Sequence, residues 1–167
     1  MVIRKATPED AEKILEFSRQ AGAETDNLSF GEDGLPFTVE DEQRFLIGQL
    51  NSEKDLFLVA EENGKIIATA SYAGMASKRM AHRGEISLVV KKSEWGRHIG
   101  TMLMQKLMDF ARNEAKAELV SLEVRSDNDR AIHLYEKFGF RKTGVFPGYM
   151  KIDDVLVDFD LMSVRLQ

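Results

Sequence analysis

Cysteine is absent from this chain of 167 residues, and its absence removes several kinds of chemistry. The protein can hold no disulfide, no thiolate nucleophile and no thiolate metal site, so catalysis through an acyl-cysteine is excluded. Histidine is scarce as well, because the chain has only His82, His98 and His133, and they lack the spacing of metal ligands. We therefore predict no metal site, and the lack of cysteine favours a reducing, cytoplasmic location.

Long hydrophobic runs and an excess of basic residues are also missing. No apolar stretch approaches the length of about 20 residues that a membrane-spanning helix needs. Residues 1–20 have the pattern of a strand and an acidic-capped helix, so we expect no cleaved signal segment. The 23 Lys and Arg residues are outnumbered by 28 Asp and Glu, which gives a net charge of −5. We expect neither a nucleic acid nor a membrane as partner, and this charge favours a cationic amine.

The length and the even composition predict one domain over residues 1–167, without linker, repeat or low-complexity segment. Hydrophobic periodicity predicts the order β-α-α-β-β-β-α-β-α-β-β. The predicted strands cover residues 1–6, 55–62, 65–74, 85–90, 119–124, 140–146 and 154–166, and the helices begin near residues 8, 39, 99 and 129. A loop is expected over residues 21–37, and a closing turn at Pro147–Gly148.

Two strand-to-helix junctions carry the residues with the most specific pattern. The first runs from EISLVV, residues 85–90, through KKSEWGRHIG into a helix with one apolar face. The second runs from LVSLEV, residues 119–124, through a polar turn into a helix that Gly139 ends. The first turn of a helix leaves backbone N–H groups unpaired, and these groups together with the helix dipole attract phosphate.

Both junctions resemble the GNAT superfamily of acetyl-CoA-dependent N-acetyltransferases. The later family motif, Asn-x-x-Ala-x-x-x-Tyr-x-x-x-Gly-Phe, is matched by Asn128, Ala131, Tyr135, Gly139 and Phe140. The earlier one, Arg/Gln-x-x-Gly-x-Gly/Ala, is matched at Gly100 but has Trp95 in place of Arg or Gln and His98 in place of the first Gly. The resemblance is sharpest over residues 85–140, and the order of elements extends it to the whole chain.

The resemblance implies an α/β (α+β) fold with a mixed, mostly antiparallel seven-stranded sheet and helices on both faces. The two central strands, which carry Val89 and Asn128, are expected to splay apart. In this family the splay receives acetyl-CoA, whose pantetheine arm pairs with the exposed strand backbone.

The cofactor-binding residues implied by the resemblance lie on both junctions. They are Leu88, Val89, Val90, Trp95, Gly96, Arg97, His98, Ile99, Gly100, Thr101, Asn128 and Tyr135. An amide of Val89 or Val90 would hold the thioester carbonyl. Two alternatives stay open: residues 95–100 can form a plain strand-to-helix turn, and Asn128 can serve as a helix N-cap.

The catalytic residues implied by the resemblance are Tyr135 and Glu85. Tyr135 would protonate the departing CoA thiolate, and Glu85 would take a proton from the amine, directly or through water. The alternatives are a core tyrosine on an apolar helix face and a surface glutamate paired with Arg83. His82 is a second candidate for the proton path.

The function implied is acetyl transfer from acetyl-CoA to a primary amine of a small molecule or of a peptide or protein N-terminus, by direct attack. The acceptor is expected between residues 27–37 and 147–154. A non-enzymatic acyl-CoA sensor and an interaction domain on the same fold are the alternatives, and pairing of the closing strands would allow a homodimer.

An acidic cluster formed by Asp33, Glu40, Asp41 and Glu42 has two interpretations. It can attract an amine, or it can be a solvated helix start whose carboxylates favour the positive end of the helix dipole.

Overall fold

The computed structural model describes residues 1–166 and contains one open sheet of seven strands with helices on both faces. The strands are β1 (Val2–Lys5), β2 (Asp55–Glu62), β3 (Lys65–Gly74), β4 (Arg83–Val90), β5 (Leu119–Arg125), β6 (Arg141–Ile152) and β7 (Val155–Arg165). The helices are α1 (Ala11–Glu24), α2 (Val39–Leu50), α3 (Ile99–Asn113) and α4 (Asp129–Lys137), with short 3-10 turns at Pro8–Asp10 and Lys92–Glu94. The predicted order of elements is confirmed.

The sheet has the order β1-β2-β3-β4-β5-β7-β6, and only β4 and β5 run parallel. These two strands pair over three residues, Arg83 with Leu119, Gly84 with Val120 and Glu85 with Ser121. Beyond Glu85 they separate, while β4 stays paired with β3 up to Val90 and β5 stays paired with β7 up to Arg125. The mixed, mostly antiparallel sheet and its central splay are therefore confirmed.

Each face of the sheet has its own hydrophobic core. Helices α3 and α4 cover one face, where Leu103, Leu107 and Met108 of α3 are fully buried. Helices α1 and α2 cover the other face, with Ile14, Phe17 and Leu46 in the core. The side chains of β4 alternate between the two, since Ile86 and Leu88 face α3 and α4 whereas Val89 faces α1 and α2.

Helix α1 extends to Glu24, so the prediction that the loop begins at residue 21 was wrong. Ala21 is buried in the core, which keeps this turn helical although the sequence there is rich in small and polar residues. Gly22 lets the loop cross the helix closely, because a Cβ at this position would lie 1.9 Å from the carbonyl oxygen of Gly31.

The turn predicted at Pro147–Gly148 was also wrong, because β6 continues to Ile152. Pro147 and Gly148 lie where the β6–β7 register shifts between Phe146 and Met150. A bulge of this kind accommodates the missing N–H of a proline. The chain reverses instead at Asp153–Asp154, whose φ angles of 46° and 65° are left-handed, a conformation that aspartate tolerates better than most residues.

The ion pair between Arg4 and Asp10 gives a prediction for stability. The buried Asp10 carboxylate accepts hydrogen bonds of 2.6 and 2.7 Å from the Arg4 guanidinium, and these hold the pKa of Asp10 below its usual value. A depressed pKa stabilises the fold above the unfolded pKa of about 3.9, and the contribution disappears as the pH falls through the folded value.

Asp10→Asn should lower the free energy of unfolding at pH 7 by about 1.5 kcal/mol, the low end for a hydrogen bond to a charged group, because Arg4 is one-third exposed. The difference from wild type should shrink towards pH 3. Urea unfolding at both pH values measures it, and a difference independent of pH would contradict the assignment.

Candidate active site

The gap between β4 and β5 exposes backbone groups on one edge of β4. The Lys91 amide donates to the Ile67 carbonyl, and the Arg83 carbonyl accepts from the Met75 amide, so both residues direct their polar groups towards β3. The β3–β4 register is continuous between them. The backbone polar groups of successive residues point to opposite edges of a strand. Those of Val89 therefore also point towards β3, whereas those of Leu88 and Val90 point into the gap. Of the two amides expected to hold the thioester, those of Val89 and Val90, only the Val90 amide points into the gap. The Leu88 amide points into the gap as well.

A cleft of about 380 Å³ occupies the gap and extends to the starts of α3 and α4. We call it the strand-gap cleft. Among the predicted cofactor residues, its lining includes Leu88, Val89, Val90, Trp95, Gly96, His98, Ile99, Gly100, Thr101, Asn128 and Tyr135. The fold thus brings together residues of β4, α3 and α4 that lie up to 47 positions apart along the chain, from Leu88 to Tyr135. Their contacts with a cofactor remain a prediction.

The start of α3 has the geometry of an anion site. Its first helical hydrogen bond runs from the Met102 amide to the His98 carbonyl, which leaves the amides of residues 99–101 unpaired within the helix. The first turn of α3 contains no acidic residue. Gly96 and His98 have left-handed φ angles of 83° and 60°, and this turn aims the chain into the helix. The left-handed angle gives a physical reason for glycine at the position of His98 in the family motif.

Arg97 lies outside the lining of the strand-gap cleft. Its guanidinium donates two hydrogen bonds of 2.9 Å to the Glu62 carboxylate and is also paired with Glu94. These hydrogen bonds lower the pKa of Glu62 to about 2. The arrangement ties the turn before α3 to the end of β2. A direct contact between Arg97 and phosphate remains a prediction.

Trp95 positions a basic residue that the sequence motifs do not indicate. Its indole N–H donates to the Val90 carbonyl at 2.9 Å, and the guanidinium of Arg130 lies 4.5 Å from the centre of its ring. An arginine over a tryptophan face is attracted by the ring electrons. Arg130 lines the cleft together with Lys92 and Lys137, and two acidic residues, Glu24 and Glu94, also lie in the lining. Trp95 thus stands where the family has Arg or Gln and holds an arginine from α4.

Asn128 and Tyr135 stand at the two ends of helix α4. The Asn128 side-chain oxygen accepts from the Ala131 amide at 3.3 Å, which is the capping interaction considered as an alternative to cofactor binding. Tyr135 is 7% exposed and lines the cleft, with its ring 6.1 Å from that of Phe140. Burial raises the pKa of Tyr135 to about 12, so the phenol stays protonated at neutral pH and can only donate a proton.

Glu85 lies apart from the cleft. It is at the end of β4 that still pairs with β5, and its carboxylate accepts a hydrogen bond of 3.0 Å from Arg83. Four residues of strand place its Cα about 13 Å from that of Val89. Glu85 is not among the residues that line the cleft. This geometry matches the alternative of a surface glutamate paired with Arg83, and the catalytic role remains a prediction.

A second cavity, of about 610 Å³, lies between the sheet, α1, α2 and the loop before α2. We call it the aromatic cavity, because its lining comprises Phe17, Phe30, Phe37, Phe45 and Phe57 with Ile14, Ser18, Leu35, Asp41, Glu42, Thr69, Ser87 and Val89. Val89 also lines the strand-gap cleft, so the two spaces meet at β4.

The aromatic cavity is only partly where the acceptor site was predicted. Residues 27–37 contribute Phe30, Leu35 and Phe37 as expected, but residues 147–154 contribute no side chain and helix α2 contributes instead. The sequence feature that pointed to α2 was the acidic cluster near its start. The members of this cluster differ in burial, because Glu42 is 2% exposed whereas Glu40 is exposed to solvent.

No metal centre is found in the part of the chain that the structure describes, since it brings together no group of three His, Cys, Asp or Glu side chains able to hold an ion. Within the same residues, no helix combines the length and the apolar character needed to span a membrane.

Comparison with known proteins confirms the resemblance seen in the sequence. Residues 15–140 match the model of the acetyltransferase (GNAT) family. The crystal structure of a GNAT-family acetyltransferase from Streptococcus pneumoniae superimposes with a TM-score of 0.94 at 30% identity, over 99% of both chains.

Two further proteins are similar over nearly the whole chain. A putative phosphinothricin acetyltransferase of Bacillus subtilis, YwnH, is 25% identical over 99% of both chains. The structure of yncA, a putative acetyltransferase from Salmonella typhimurium with its cofactor acetyl-CoA, has a TM-score of 0.85 at 23% identity. The superposition covers 99% of this chain and 94% of yncA, and an identity of 23% shows a common fold.

Replacing Arg130 tests the basic side of the strand-gap cleft. Arg130→Gln should raise the Kd for acetyl-CoA about tenfold, which is 1.4 kcal/mol, through loss of one charged contact. Isothermal titration calorimetry measures it, with Arg112→Gln, an exposed change at the far end of α3, as the matched control. Equal affinities in the two variants would show that Arg130 does not contact the cofactor.

Two substitutions at position 98 test the left-handed turn. His98→Gly should be more stable than His98→Ala by about 1 kcal/mol, because a side chain penalises this φ angle. The order is the reverse of that in an ordinary helix, where alanine is favoured. Thermal unfolding of both variants gives the answer, and alanine as the more stable residue would rule out the left-handed turn.

Proposed function

Because the chain belongs to the acetyltransferase (GNAT) family, we propose that it transfers the acetyl group of acetyl-CoA to a primary amine. One observation carries the proposal: the strand-gap cleft joins the free edge of β4, the start of α3 and the buried hydroxyl-bearing side chain of Tyr135. The proposed transfer is a direct attack of the amine on the thioester, and an acyl-cysteine intermediate is excluded because the chain has no cysteine.

The residues of the cleft fit the parts of acetyl-CoA, which supplies the activated acetyl thioester. The backbones of Leu88 and Val90 pair with the pantetheine arm as a neighbouring strand would, and Asn128 contacts it from the opposite side. The amides at the start of α3 bind the diphosphate, and Arg130 adds positive charge. These placements use polar groups that the sheet leaves free in the gap.

In the proposed reaction the amine nitrogen forms a bond to the thioester carbon, and the carbon–sulfur bond then breaks. The Val90 amide donates to the carbonyl oxygen as negative charge develops there. Tyr135 gives its hydroxyl proton to the departing sulfur, and the excess proton on the newly bonded nitrogen passes through water to the phenolate, which restores Tyr135 and leaves the acetylated amine and the CoA thiol. Its buried phenol is suited to this role because it is protonated at neutral pH.

An amine with a pKa of about 10 must lose a proton before it attacks at neutral pH. Glu85 is the proposed base. Its distance of about 13 Å from Val89 along the strand makes water the carrier of that proton. In the alternative, the Arg83–Glu85 pair only fixes the end of β4.

Glu85→Gln separates the two roles. If Glu85 is the base, the substitution should reduce kcat without changing the free energy of unfolding.

The proposal also includes the extent of the domain, its location in the cell and its oligomeric state. The chain acts as one N-acetyltransferase domain over residues 1–167, which the single sheet supports. It works in the cytoplasm. It forms a homodimer through its closing strands, where Val155 and Leu156 are 63% and 67% exposed. Light scattering of the purified protein gives its molar mass and so tests whether it is a homodimer.

Ligand-dependent melting tests whether the cleft binds acetyl-CoA. At about 100 times Kd the cofactor stabilises the fold by roughly 2.7 kcal/mol, a shift of several degrees. NAD and ATP at the same concentration serve as controls. A selective shift with amine-dependent release of CoA supports the enzyme, a shift without release indicates an acyl-CoA sensor, and no shift indicates an interaction domain.

Tyr135→Phe tests the proton donor. The change should lower kcat about 100-fold, within the usual range for a general acid, and leave the Kd for acetyl-CoA unchanged. Tyr72→Phe is the matched control, since Tyr72 is also buried but packs against Phe110 and lines neither cavity. Equal turnover in the two variants would exclude Tyr135 from the proton transfer.

A further inference from the structure

The aromatic cavity contains a carboxylate without a partner. Glu42 of α2 is 2% exposed, none of the side-chain hydrogen bonds or ion pairs of residues 1–166 includes it, and its carboxylate oxygens keep a little accessible surface. Its neighbour Asp41 is different, because that carboxylate accepts hydrogen bonds from Thr38 and is paired with Arg44. Burial raises the pKa of Glu42. A buried carboxylate is costly unless it meets a positive charge.

The rest of the lining limits what this positive charge belongs to. Within the described residues, no lysine, arginine or histidine lines the aromatic cavity, whereas two carboxylates and five phenylalanines do. An acceptor that carries its own carboxylate or phosphinate group would meet no compensating charge there. Like charges brought together in this way cost several kcal/mol. The basic residues lie instead in the strand-gap cleft, at Lys92, Arg130 and Lys137.

The apolar wall of the cavity is held in place by the loop before α2. The buried Ser18 hydroxyl donates to the Leu15 carbonyl at 2.7 Å and accepts from the Leu35 amide at 3.0 Å. Gly34, with a φ of 71°, lies so close to α1 that a Cβ would be 2.6 Å from Ser18. Phe45 packs edge-on against Phe57, with 5.7 Å between ring centres. A pocket of this volume with preformed apolar walls is typical of a small-molecule site.

We propose that the aromatic cavity binds the acceptor, a primary amine with an aromatic or bulky apolar group and no acidic group, and that Glu42 binds its ammonium. The inference rests on the proposed acetyl transfer and names its substrate class. Val89 lines both spaces, so an amine in the aromatic cavity lies next to the part of β4 that borders the cleft. An acidic substrate such as phosphinothricin, named in the Bacillus subtilis relative, does not fit this charge pattern.

Two probes that differ only in a carboxylate test the charge pattern. With saturating acetyl-CoA, kcat/KM for 2-phenylethylamine should exceed that for L-phenylalanine about 100-fold, as expected from repulsion of several kcal/mol. Phosphinothricin and a peptide with a free alanine N-terminus complete the panel. A higher kcat/KM for L-phenylalanine, phosphinothricin or the peptide would overturn the inference while the acetyl transfer stands.

A variant of Glu42 tests the ammonium contact. Glu42→Gln keeps the shape of the side chain and should raise KM for 2-phenylethylamine at least about tenfold, with a smaller change in kcat and none in the Kd for acetyl-CoA. Glu40→Gln, on the same turn of α2 but exposed, is the control. Equal KM values in the two variants would overturn the assignment of Glu42.

Equilibrium binding separates this inference from the proposed function. In the presence of CoA, calorimetry should detect 2-phenylethylamine binding that is lost in Glu42→Gln and preserved in Glu40→Gln. Such binding without turnover of any amine supports the cavity assignment and refutes the transferase. Absence of binding to wild type overturns the inference whatever the turnover, and if Glu42→Gln does not fold, the two wild-type probes still decide it.

Discussion

The short parallel pairing of β4 with β5 is the constraint on which the rest of the structure depends. Three residue pairs join the two halves of the sheet, and past Glu85 the edge of β4 has no partner strand among the described residues. Backbone polar groups need hydrogen-bond partners when they are buried. The Leu88 amide and carbonyl and the Val90 amide therefore present groups that a strand-like ligand can satisfy, while the Val90 carbonyl already accepts from the Trp95 indole. Helices α3 and α4 begin at this opening, which places their unpaired amides and Asn128 at the same site.

The two spaces on either side of Val89 differ in charge, and this difference organises the proposed chemistry. The strand-gap cleft combines a helix start with Lys92 and Arg130, which suits phosphate groups. The aromatic cavity combines phenylalanines with the buried Glu42, which suits an apolar cation. A thioester and an amine bound in these two spaces would both lie beside Val89, which lines the two of them. The net charge of −5 agrees with a cationic acceptor, but only the placement of Glu42 localises the attraction.

Periodicity predicted the order of the elements, and the family resemblance carried by the motif around Asn128 and Tyr135 predicted the splay and 11 of the 23 residues that line the cleft. Both are local signals in the sequence. The predictions that were wrong concern segments whose structure depends on tertiary contacts. Helix α1 continues past residue 21, and Gly22 allows the loop backbone to pass close to it. Pro147 lies in a β-bulge rather than in a turn. Arg130 was not predicted to contact a ligand, and Glu42 was named only as one of four acidic residues that can attract an amine. The stacking of Arg130 on Trp95 and the burial of Glu42 arise only when distant segments pack together.

Amide hydrogen exchange along β4 tests the central claim most directly, because it measures each backbone group separately. In the free protein the Val89 amide should be protected by its pairing with β3, while the Leu88 and Val90 amides exchange quickly. Saturating acetyl-CoA should slow exchange at Leu88 and Val90 and leave Val89 unchanged. Fast exchange at both residues in the presence of bound acetyl-CoA would contradict the account, since the cofactor would then bind without pairing with the free edge of β4.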